Sequence, residues 1–390
     1  MVKLSLFAQI IGILPKEIFK RIVIKYDSDK FNKGIDSWTH LISMLFCQFG
    51  QANSVRDISN GLRSITGNIN HLGCSIAPSK SSISYINSTR SYKIFEEFYY
   101  ALFTHLTGLM RFSRPALNQI KRKVYLLDAS VISLSLSLFD WAKFRTMKGA
   151  VKLHLLLDYD GCLPAFADLT HGKVHEIQVA RKMKFSPNSI LVFDMGYYDF
   201  EWWNNLDSNK IHFVTRAKDN MQYDIIEEFD LSGEKDKNVL QDCNIQLSTY
   251  KGKKEYPKKL RLVRYWDEEN QQELVFVTNN FNWTASMVAK IYKQRWYIES
   301  FFKLIKQNLK IKSFVGTSEN AVQTQIWTAL ITILLLSFLK AKARYSWHMS
   351  NLITFIRLNL FVKIDIWKWI DEPFVRPKKI FSAQLSMFSG

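Results

Sequence analysis

The sequence predicts an α/β fold, in which an all-helical N-terminal domain precedes a mixed sheet that carries a β-strand insertion. Residues 1–115 show apolar residues at helical spacing without a strand pattern. From residue 120 the pattern changes to short apolar runs and period-two alternation, with helical stretches between them. We therefore expect four regions: a helical domain over 1–115, an α/β core formed by 120–219 and 281–345, a β-strand insertion over 220–280, and a helical or irregular C-terminal region over 346–390.

The N-terminal domain contains a pair of helices that could bind DNA. Helical periodicity covers 4–24 and 37–50, and the pair 54–65 and 79–93 has the outline of a helix-turn-helix with a long connector. The second helix of the pair is rich in short polar and basic side chains: Lys80, Ser81, Ser84, Asn87, Thr89, Arg90 and Lys93. Such side chains suit phosphate and groove contacts, although the polar outer face of a helical bundle explains them equally well.

The core begins with three strands in a meander and continues with alternating helices and strands. The run KVYLLDAS predicts a strand that ends at Asp128, and two further strands are joined by a turn over 158–161. A helix over 174–184 opens with His175 and Glu176 near the sheet edge, and SILVFDMG predicts a strand that ends at Asp194. A helix over 199–206 and a strand over 211–218, which contains Arg216, complete this part. Arg216 could contact DNA or form a surface salt bridge.

The insertion predicts antiparallel strands over 243–250, 258–269 and 271–280, the last two as a hairpin around Glu268–Gln271. A helix over 321–340 follows the core. Its apolar run, 326–339, is 14 residues long, and a membrane crossing needs about 20, so we interpret it as a buried core helix. Residues 371–390 lack periodicity and predict an irregular tail.

Charge and cysteine content limit the class of protein. The chain has 53 Lys and Arg against 35 Asp and Glu, a net charge of +18. A basic excess spread along the whole chain points to a polyanionic partner, nucleic acid first and a membrane surface second. The four cysteines are far apart and form no C-x-x-C pair, which indicates neither a zinc site nor a disulfide framework and fits the cytoplasm.

The segment IYKQRWYIESFFKLIKQ, residues 291–307, predicts a single helix with an unusual charged side. At 100° per residue, four side chains fall within an arc of about 60°: Tyr292, Arg295, Glu299 and Lys306. Lys303 lies close beside them. A solvated face with i,i+4 ion pairs would explain such a stripe, but Arg preceding Glu is the less favourable order for helix stability. A carboxylate among cations stays ionised and suits a metal ligand beside bound phosphate.

Two further acids follow strongly apolar strands, Asp128 after VYLL and Asp194 after ILVF. Ligands of α/β folds usually bind at the carboxyl edge of the sheet, although aspartates at strand ends also form turns and helix caps. Together with Glu299, these acids could converge on a pair of Mg²⁺ ions that clamp the attacking and leaving oxygens of a phosphodiester.

These residues together resemble the DDE transposases of bacterial insertion sequences, specifically the type-4 family with its Y-R-E-K signature. The likeness consists of the Tyr-x2-Arg-x3-Glu-x6-Lys spacing that ends at Lys306, preceded by LLDAS, FDMGYYDF and FVTRAK, and it covers about 120–315 well. The resemblance implies a ribonuclease-H-like core interrupted by a β-rich insertion. It also implies Mg²⁺-dependent nicking at inverted-repeat ends, strand transfer into target DNA, and a homodimer that holds two ends in the bacterial nucleoid.

In that picture the metal and catalytic ligands are Asp128, Asp194 and Glu299, with two Mg²⁺ ions for which Mn²⁺ can substitute. The expected DNA contacts are Tyr292, Arg295, Lys306, Arg216, Lys303 and Arg90. Some relatives cleave through a DNA hairpin, helped by an aromatic residue of the insertion. Trp266 or Trp283 could serve here, although a core or surface tryptophan explains either position.

Two other functions are consistent with the same sequence. A structure-specific endonuclease would share the fold but only cut DNA. A non-catalytic DNA-binding regulator would have no need for three carboxylates that repel DNA.

Overall fold

The computed structural model describes residues 3–30, 34–65, 68–112, 117, 120–134 and 149–374. The predicted irregular tail falls outside these ranges from residue 375 onward. The described chain forms a helical N-terminal part, one large mixed sheet with helices on both faces, and helices after the sheet, so the predicted α/β class is confirmed.

The N-terminal part contains six α-helices, as far as the described residues show: α1 (Leu6–Ile11), α2 (Lys16–Lys25), α3 (Ser37–Phe49), α4 (Val55–Arg63), α5 (Lys80–Thr89) and α6 (Lys93–Leu109). The helix predicted over 4–24 is in fact two helices, because Pro15 precedes α2 and removes a backbone donor there. Helix α4 begins where Ser54 accepts a hydrogen bond from the Asp57 amide, an N-cap arrangement that serine favours.

Nine strands, within the part of the chain described, form the sheet: β1 (Val124–Leu134), β2 (Gly149–Asp158), β3 (Leu163–His171), β4 (Ile190–Phe193), β5 (His212–Arg216), β6 (Tyr223–Glu228), β7 (Val239–Leu247), β8 (Leu260–Asp267) and β9 (Gln272–Thr278). Their spatial order is β3-β2-β1-β4-β5-β9-β8-β7-β6. Strands β4 and β5 run parallel to β1, and all other neighbours are antiparallel. An antiparallel meander continued by two parallel strands is the ribonuclease-H-like arrangement that the resemblance implied.

The insertion strands extend this same sheet. The predicted hairpin is β8 and β9, and β9 pairs with β5 through Val214 and Thr278. The described strands of 220–280 therefore continue the core sheet, and the positions of the domain boundaries stay predictions.

Eight further helices lie after the meander in the described chain: α7 (Glu176–Ala180), α8 (Phe200–Ser208), α9 (Tyr250–Glu255), α10 (Ala285–Lys293), α11 (Trp296–Asn308), α12 (Glu319–Lys342), α13 (Met349–Leu358) and α14 (Ile366–Asp371). Helix α12 is apolar and long enough to cross a membrane, but 89% of its most apolar 18-residue window is buried. It packs against α3 and α6, which matches the prediction of a core helix.

The two faces of the sheet have separate apolar cores. Leu126 and Val192 belong to the core that includes α11 and the N-terminal helices, whereas Leu127 and Phe193 belong to the core that includes α7 and α8. Alternation along the strands produces this division, and it decides which helices can reach the point where the parallel pairing of β1 with β4 ends.

Candidate active site

Asp128 and Asp194 occupy neighbouring positions on adjacent strands. Strands β1 and β4 pair in parallel up to Leu127 opposite Phe193, and the two aspartates are the next residues of each chain. Neighbouring strands lie about 4.8 Å apart, so the two backbones are close at this point. By alternation Asp128 shares the face of Leu126, and α11 covers that face.

The prediction that the first strand ends at Asp128 was wrong. Strand β1 continues to Leu134 because β2 pairs with it over its whole length, from Tyr125 opposite Asp158 to Leu134 opposite Gly149. Only the parallel pairing with β4 ends before Asp128. The strand-ending aspartate is thus a feature of β4, whereas Asp128 projects from within a strand.

The environment of Asp128 disfavours its ionised form. Its side chain is 16% exposed, and burial followed by the charge of Asp194 raises its pKa to about 7. The Ala129 amide donates to Oδ1 at 2.7 Å, which opposes this rise. A divalent cation between two such carboxylates would stabilise both charges, so the donor set fits a hard metal ion.

Asp194 is held by the turn that follows it. Its Oδ1 accepts a hydrogen bond of 2.8 Å from the Gly196 amide and caps the 3₁₀ turn Met195–Tyr197. The Thr215 hydroxyl donates to its backbone carbonyl at 3.4 Å. The turn therefore fixes the backbone of Asp194 and leaves its second carboxylate oxygen for other partners.

The predicted single helix over 291–307 is two helices, α10 and α11, joined at Gln294 and Arg295. Gln294 is buried, its amide donates to the Lys290 carbonyl at 2.8 Å, and its Oε1 accepts from the Tyr159 hydroxyl at 2.6 Å. The backbone amides of Gln294 and Arg295 bond three residues back, as in a 3₁₀ turn. A side chain that binds inside the helical ladder is a known cause of such a break.

Arg295 lies between two of the predicted metal ligands. Its Nη2 is 2.6 Å from Glu299 Oε1, and its Nη1 is 3.9 Å from Asp128 Oδ2. Its Nε is buried and has no hydrogen-bond partner among the described residues. The guanidinium thus joins the helix carboxylate to the strand carboxylate and still has donor capacity.

Glu299 is not assembled with the two aspartates into a metal cluster. Its side chain is 49% exposed and bound to Arg295. Within the described ranges, no three His, Cys, Asp or Glu side chains are grouped closely enough to hold an ion. Asp128 and Asp194 form a pair, and Glu299 would have to leave Arg295 to join it.

The other predicted DNA-binding residues near the site differ in exposure. Tyr292 is buried against Phe276, with ring centroids 4.8 Å apart, and the Arg295 guanidinium lies 5.7 Å from its ring. Lys306 donates to Ser130 Oγ at 2.5 Å and to the Val131 carbonyl at 3.0 Å. It therefore ties α11 to the part of β1 beyond Asp128.

Lys303 and Arg216 lie on either side of this group. Lys303 is exposed on α11. Arg216 ends β5 opposite Phe276, and its Nε is buried without a hydrogen-bond partner in the part of the chain described. By alternation along β5, Arg216 shares the face of Val214, which belongs to the same core as Tyr292.

Arg90 does not belong to this group. Its side chain is 6% exposed, and Nη2 donates to Asp29 at 3.2 Å and to the Ile35 carbonyl at 2.9 Å. It holds α5 to the loop before α3, a contact between distant segments that sequence periodicity cannot reveal. We therefore do not retain Arg90 as a DNA contact.

Trp296 is an exposed aromatic residue that the sequence analysis did not select. Its side chain is 59% exposed at the start of α11, immediately after Arg295. It precedes Glu299 by three residues and Lys303 by seven, a spacing that places the three on one side of a helix. The two tryptophans suggested earlier, Trp266 and Trp283, are half-buried.

Comparison with known proteins identifies the family of the chain. A family model described as "Transposase DDE domain" matches residues 119–335, which is more than half of the chain. The chain belongs to this family. A second model, a domain of unknown function (DUF4372), matches residues 2–75. As a DDE transposase the chain is an enzyme that cleaves DNA and transfers strands, and its family uses divalent metal ions.

Two proteins that are named as transposases are similar to this chain over most of its length. Transposase y4zB, a protein so named from Sinorhizobium fredii, is 29% identical over 77% of this chain and 83% of its own length. A chain named as the transposase for element IS5377, from Geobacillus stearothermophilus, is 28% identical over 64% of this chain and 63% of its own length. The solved structure of the piggyBac transposase synaptic complex with hairpin DNA aligns with 95% of this chain and with 80% of its own chain. The TM-score is 0.40 and the sequence identity 11%, a similarity too low to support an inference.

Proposed function

We propose that this DDE transposase cuts DNA at the inverted-repeat ends of an insertion sequence and joins the freed 3′ ends to target DNA, with Mg²⁺ as its metal. The observation that carries the proposal is the pairing of Asp128 with Asp194 at adjacent strand positions, with Arg295 linking Asp128 to Glu299. Ionised oxygens at this spacing suit two hard divalent ions, for which Mn²⁺ can substitute.

The three carboxylates would hold the metal. A divalent ion bound there would activate a water or a 3′-hydroxyl oxygen for attack, and it would neutralise charge on the phosphate. Asp128 and Asp194 are positioned by the sheet before DNA arrives. Glu299 belongs to a separate helix and is the most exposed of the three.

Arg295 supplies a means of bringing Glu299 into the site when DNA binds. A phosphate can bind the guanidinium bidentately, using the Nη2 that Glu299 Oε1 now contacts at 2.6 Å. A phosphate that binds Arg295 would therefore release Glu299 toward the paired aspartates. Lys303, exposed one turn further along α11, would contact the phosphate that follows.

Lys306 and Tyr292 would position this helix beside the DNA. Lys306 binds the β1 extension at Ser130 and Val131, and burial together with Lys312 lowers its pKa. Tyr292 supports the guanidinium of Arg295 through its ring. Arg216, beside Tyr292, adds a further positive charge close to the bound strand.

The N-terminal helices would bind the repeat sequence. Helix α5 exposes a polar side made of Lys80, Ser81, Ser84, Tyr85, Ser88 and Thr89. A side of this kind suits phosphate and groove contacts. The active form would be a homodimer that holds two ends on the nucleoid, because joining both ends to one target requires two active sites.

A plasmid excision assay tests the proposal. Purified protein and DNA with two inverted-repeat ends are combined in Mg²⁺ and in EDTA, alongside Asp194→Asn and Glu299→Ala. We expect Mg²⁺-dependent release of the segment and its transfer into a target plasmid, with end binding nearly unchanged and cleavage abolished in both variants. Cutting without strand transfer would favour the endonuclease, and end binding without any cutting would favour the regulator.

A further inference from the structure

A fourth carboxylate, Glu176, approaches the paired aspartates from the opposite face of the sheet. It lies in the first turn of α7, which follows β3 and packs against the 3₁₀ turn after Asp194. The apolar residues of α7 belong to the core that contains Leu127 and Phe193, whereas α11 belongs to the other core. Glu176 and Glu299 therefore flank the Asp128–Asp194 pair from the two faces of the sheet.

Gly196 locates the Glu176 carboxylate relative to Asp194. A Cβ added to Gly196 would stand 2.4 Å from Glu176 Oε2 and 3.0 Å from Asp194 Oδ1. The two oxygens are therefore at most 5.4 Å apart, the sum of these two distances. One cation with oxygen ligands at 2.0–2.6 Å spans about that separation.

Lys152 holds Glu176 in this orientation. The lysine is 14% exposed on β2, and its Nζ lies 3.3 Å from Glu176 Oε1 and 3.3 Å from the Val174 carbonyl. One carboxylate oxygen is bound to the lysine, and the other faces Gly196. The lysine thus fixes the orientation of the Glu176 carboxylate.

The hydroxyl of Tyr197 supplies a second observation. Tyr197 is fully buried, and its hydroxyl has no hydrogen-bond partner among the residues that the structure describes. Burial, and then the charges of Glu176, Asp128 and Asp194, raise its pKa well above the usual value. A buried hydroxyl on which three carboxylates exert their charge, and which has no partner in the described chain, suits a water molecule in the outer shell of a bound ion.

We propose that Glu176 is a fourth carboxylate of the divalent-metal site, acting beside Asp194 on the side of the sheet opposite Glu299. This inference rests on the proposed function of the site. Glu176 would add its carboxylate to the Asp128–Asp194 pair when a divalent ion draws the three side chains together, and Glu299 would join them after DNA binds. Lys152 is a positioning residue that acts through Glu176.

Mn²⁺ binding by the full-length protein without DNA tests the proposal, with the free ion measured by electron paramagnetic resonance. We expect Glu176→Gln to weaken Mn²⁺ binding tenfold or more, as Asp194→Asn does. The matched control is Glu201→Gln, because Glu201 also lies in the first turn of a helix and pairs with a cation, Arg181, at 2.7 Å. This control should bind Mn²⁺ like the wild type.

Gly196→Ala separates direct binding from a general effect of charge. The added methyl would press hardest on Glu176 Oε2, at 2.4 Å, and less on Asp194 Oδ1, at 3.0 Å, while every charge remains. Weaker Mn²⁺ binding in this variant supports the proposal, and it also keeps the test available if Glu176→Gln fails to fold, as judged by circular dichroism in EDTA. Wild-type Mn²⁺ affinity in both Glu176→Gln and Gly196→Ala would overturn it.

The same experiment distinguishes failure of the inference from failure of the proposed function. Wild-type Mn²⁺ affinity in Asp128→Asn and Asp194→Asn would show that the metal does not bind at this site. Affinity that is lost in those variants but unchanged in Glu176→Gln and Gly196→Ala would reject only Glu176.

Discussion

The guanidinium of Arg295 binds the carboxylate of Glu299 at 2.6 Å and lies 3.9 Å from that of Asp128. Arg295, which we expect to bind DNA phosphate, is thus paired with Glu299, a predicted metal ligand. Because a phosphate would compete with Glu299 for Nη2 of Arg295, we expect DNA binding and completion of the metal site to be coupled through one side chain.

Replacement of Arg295 by Lys should lower single-turnover cleavage about 100-fold. A lysine ammonium is a point charge and cannot bind a phosphate bidentately, so both positioning and exchange of partners are lost. Arg181→Lys is a suitable control, since Arg181 forms a comparable pair with Asp199 at 2.9 Å on the surface of α8. Cleavage by Arg295→Lys at the wild-type rate would contradict the expected coupling between DNA binding and completion of the metal site.

Trp296→Ala should weaken binding to a nicked or unpaired end about tenfold. The side chain is 59% exposed beside Arg295, and stacking of a base on an aromatic ring contributes about 1–3 kcal/mol. Fluorescence anisotropy with an unpaired end nucleotide measures the effect, and Trp296→Phe should retain most of the affinity. Trp367→Ala, which removes a 44% exposed tryptophan of α14, should bind like the wild type, and an equal loss in both variants would argue against stacking.

Stability should fall as the pH is lowered from 7.5 to 5, in part through His40. This residue is fully buried, and burial followed by the charge of Arg90 lowers its pKa to about 3. The unfolded chain takes up a proton near pH 6.5 while the folded chain does not. His40 should therefore lower the free energy of unfolding by about 2 kcal/mol at pH 5 relative to neutral pH.

His40→Gln checks this origin, because its amide can still meet Asn87 Oδ1, which lies 3.3 Å from His40 Nε2. Thermal unfolding across this pH range should show a shallower decline in the variant. His348→Gln, at an exposed position, should keep the wild-type slope. An unchanged slope in His40→Gln would mean that other groups cause the decline.

Gly61→Ala should destabilise the protein by about 1–3 kcal/mol. A Cβ at this position of α4 would stand 2.3 Å from Cζ of Phe46, a buried residue of α3, and overpacking of this kind displaces well-packed side chains. Gly108→Ala is the matched control in α6, where a Cβ would meet nothing within 4 Å. That variant should be unchanged or more stable by about 0.5 kcal/mol. The two shifts in thermal midpoint should thus differ in size, and equal shifts would exclude the steric explanation.

Patterns within short segments were enough to predict much of the fold. The apolar runs before Asp128 and Asp194 correctly predicted the strands β1 and β4, and the turn over 158–161 and the hairpin around Glu268–Gln271 are confirmed. The continuation of β1 beyond Asp128 was missed, because pairing with β2 determines it. The break at Gln294 was missed for a similar reason, since its cause is a hydrogen bond to Tyr159, 135 residues away.

The sequence by itself determined the family of the enzyme, the order of its acidic residues and the spacing of the basic stripe. Each of these depends on residue type and on short-range periodicity, which a chain carries before it folds. Only the tertiary structure decided that Arg90 is buried against Asp29, that Trp296 is exposed, and that Glu176 lies beside Asp194 across Gly196. These features arise from contacts between distant segments, whose geometry depends on sheet order and helix packing and leaves no local pattern.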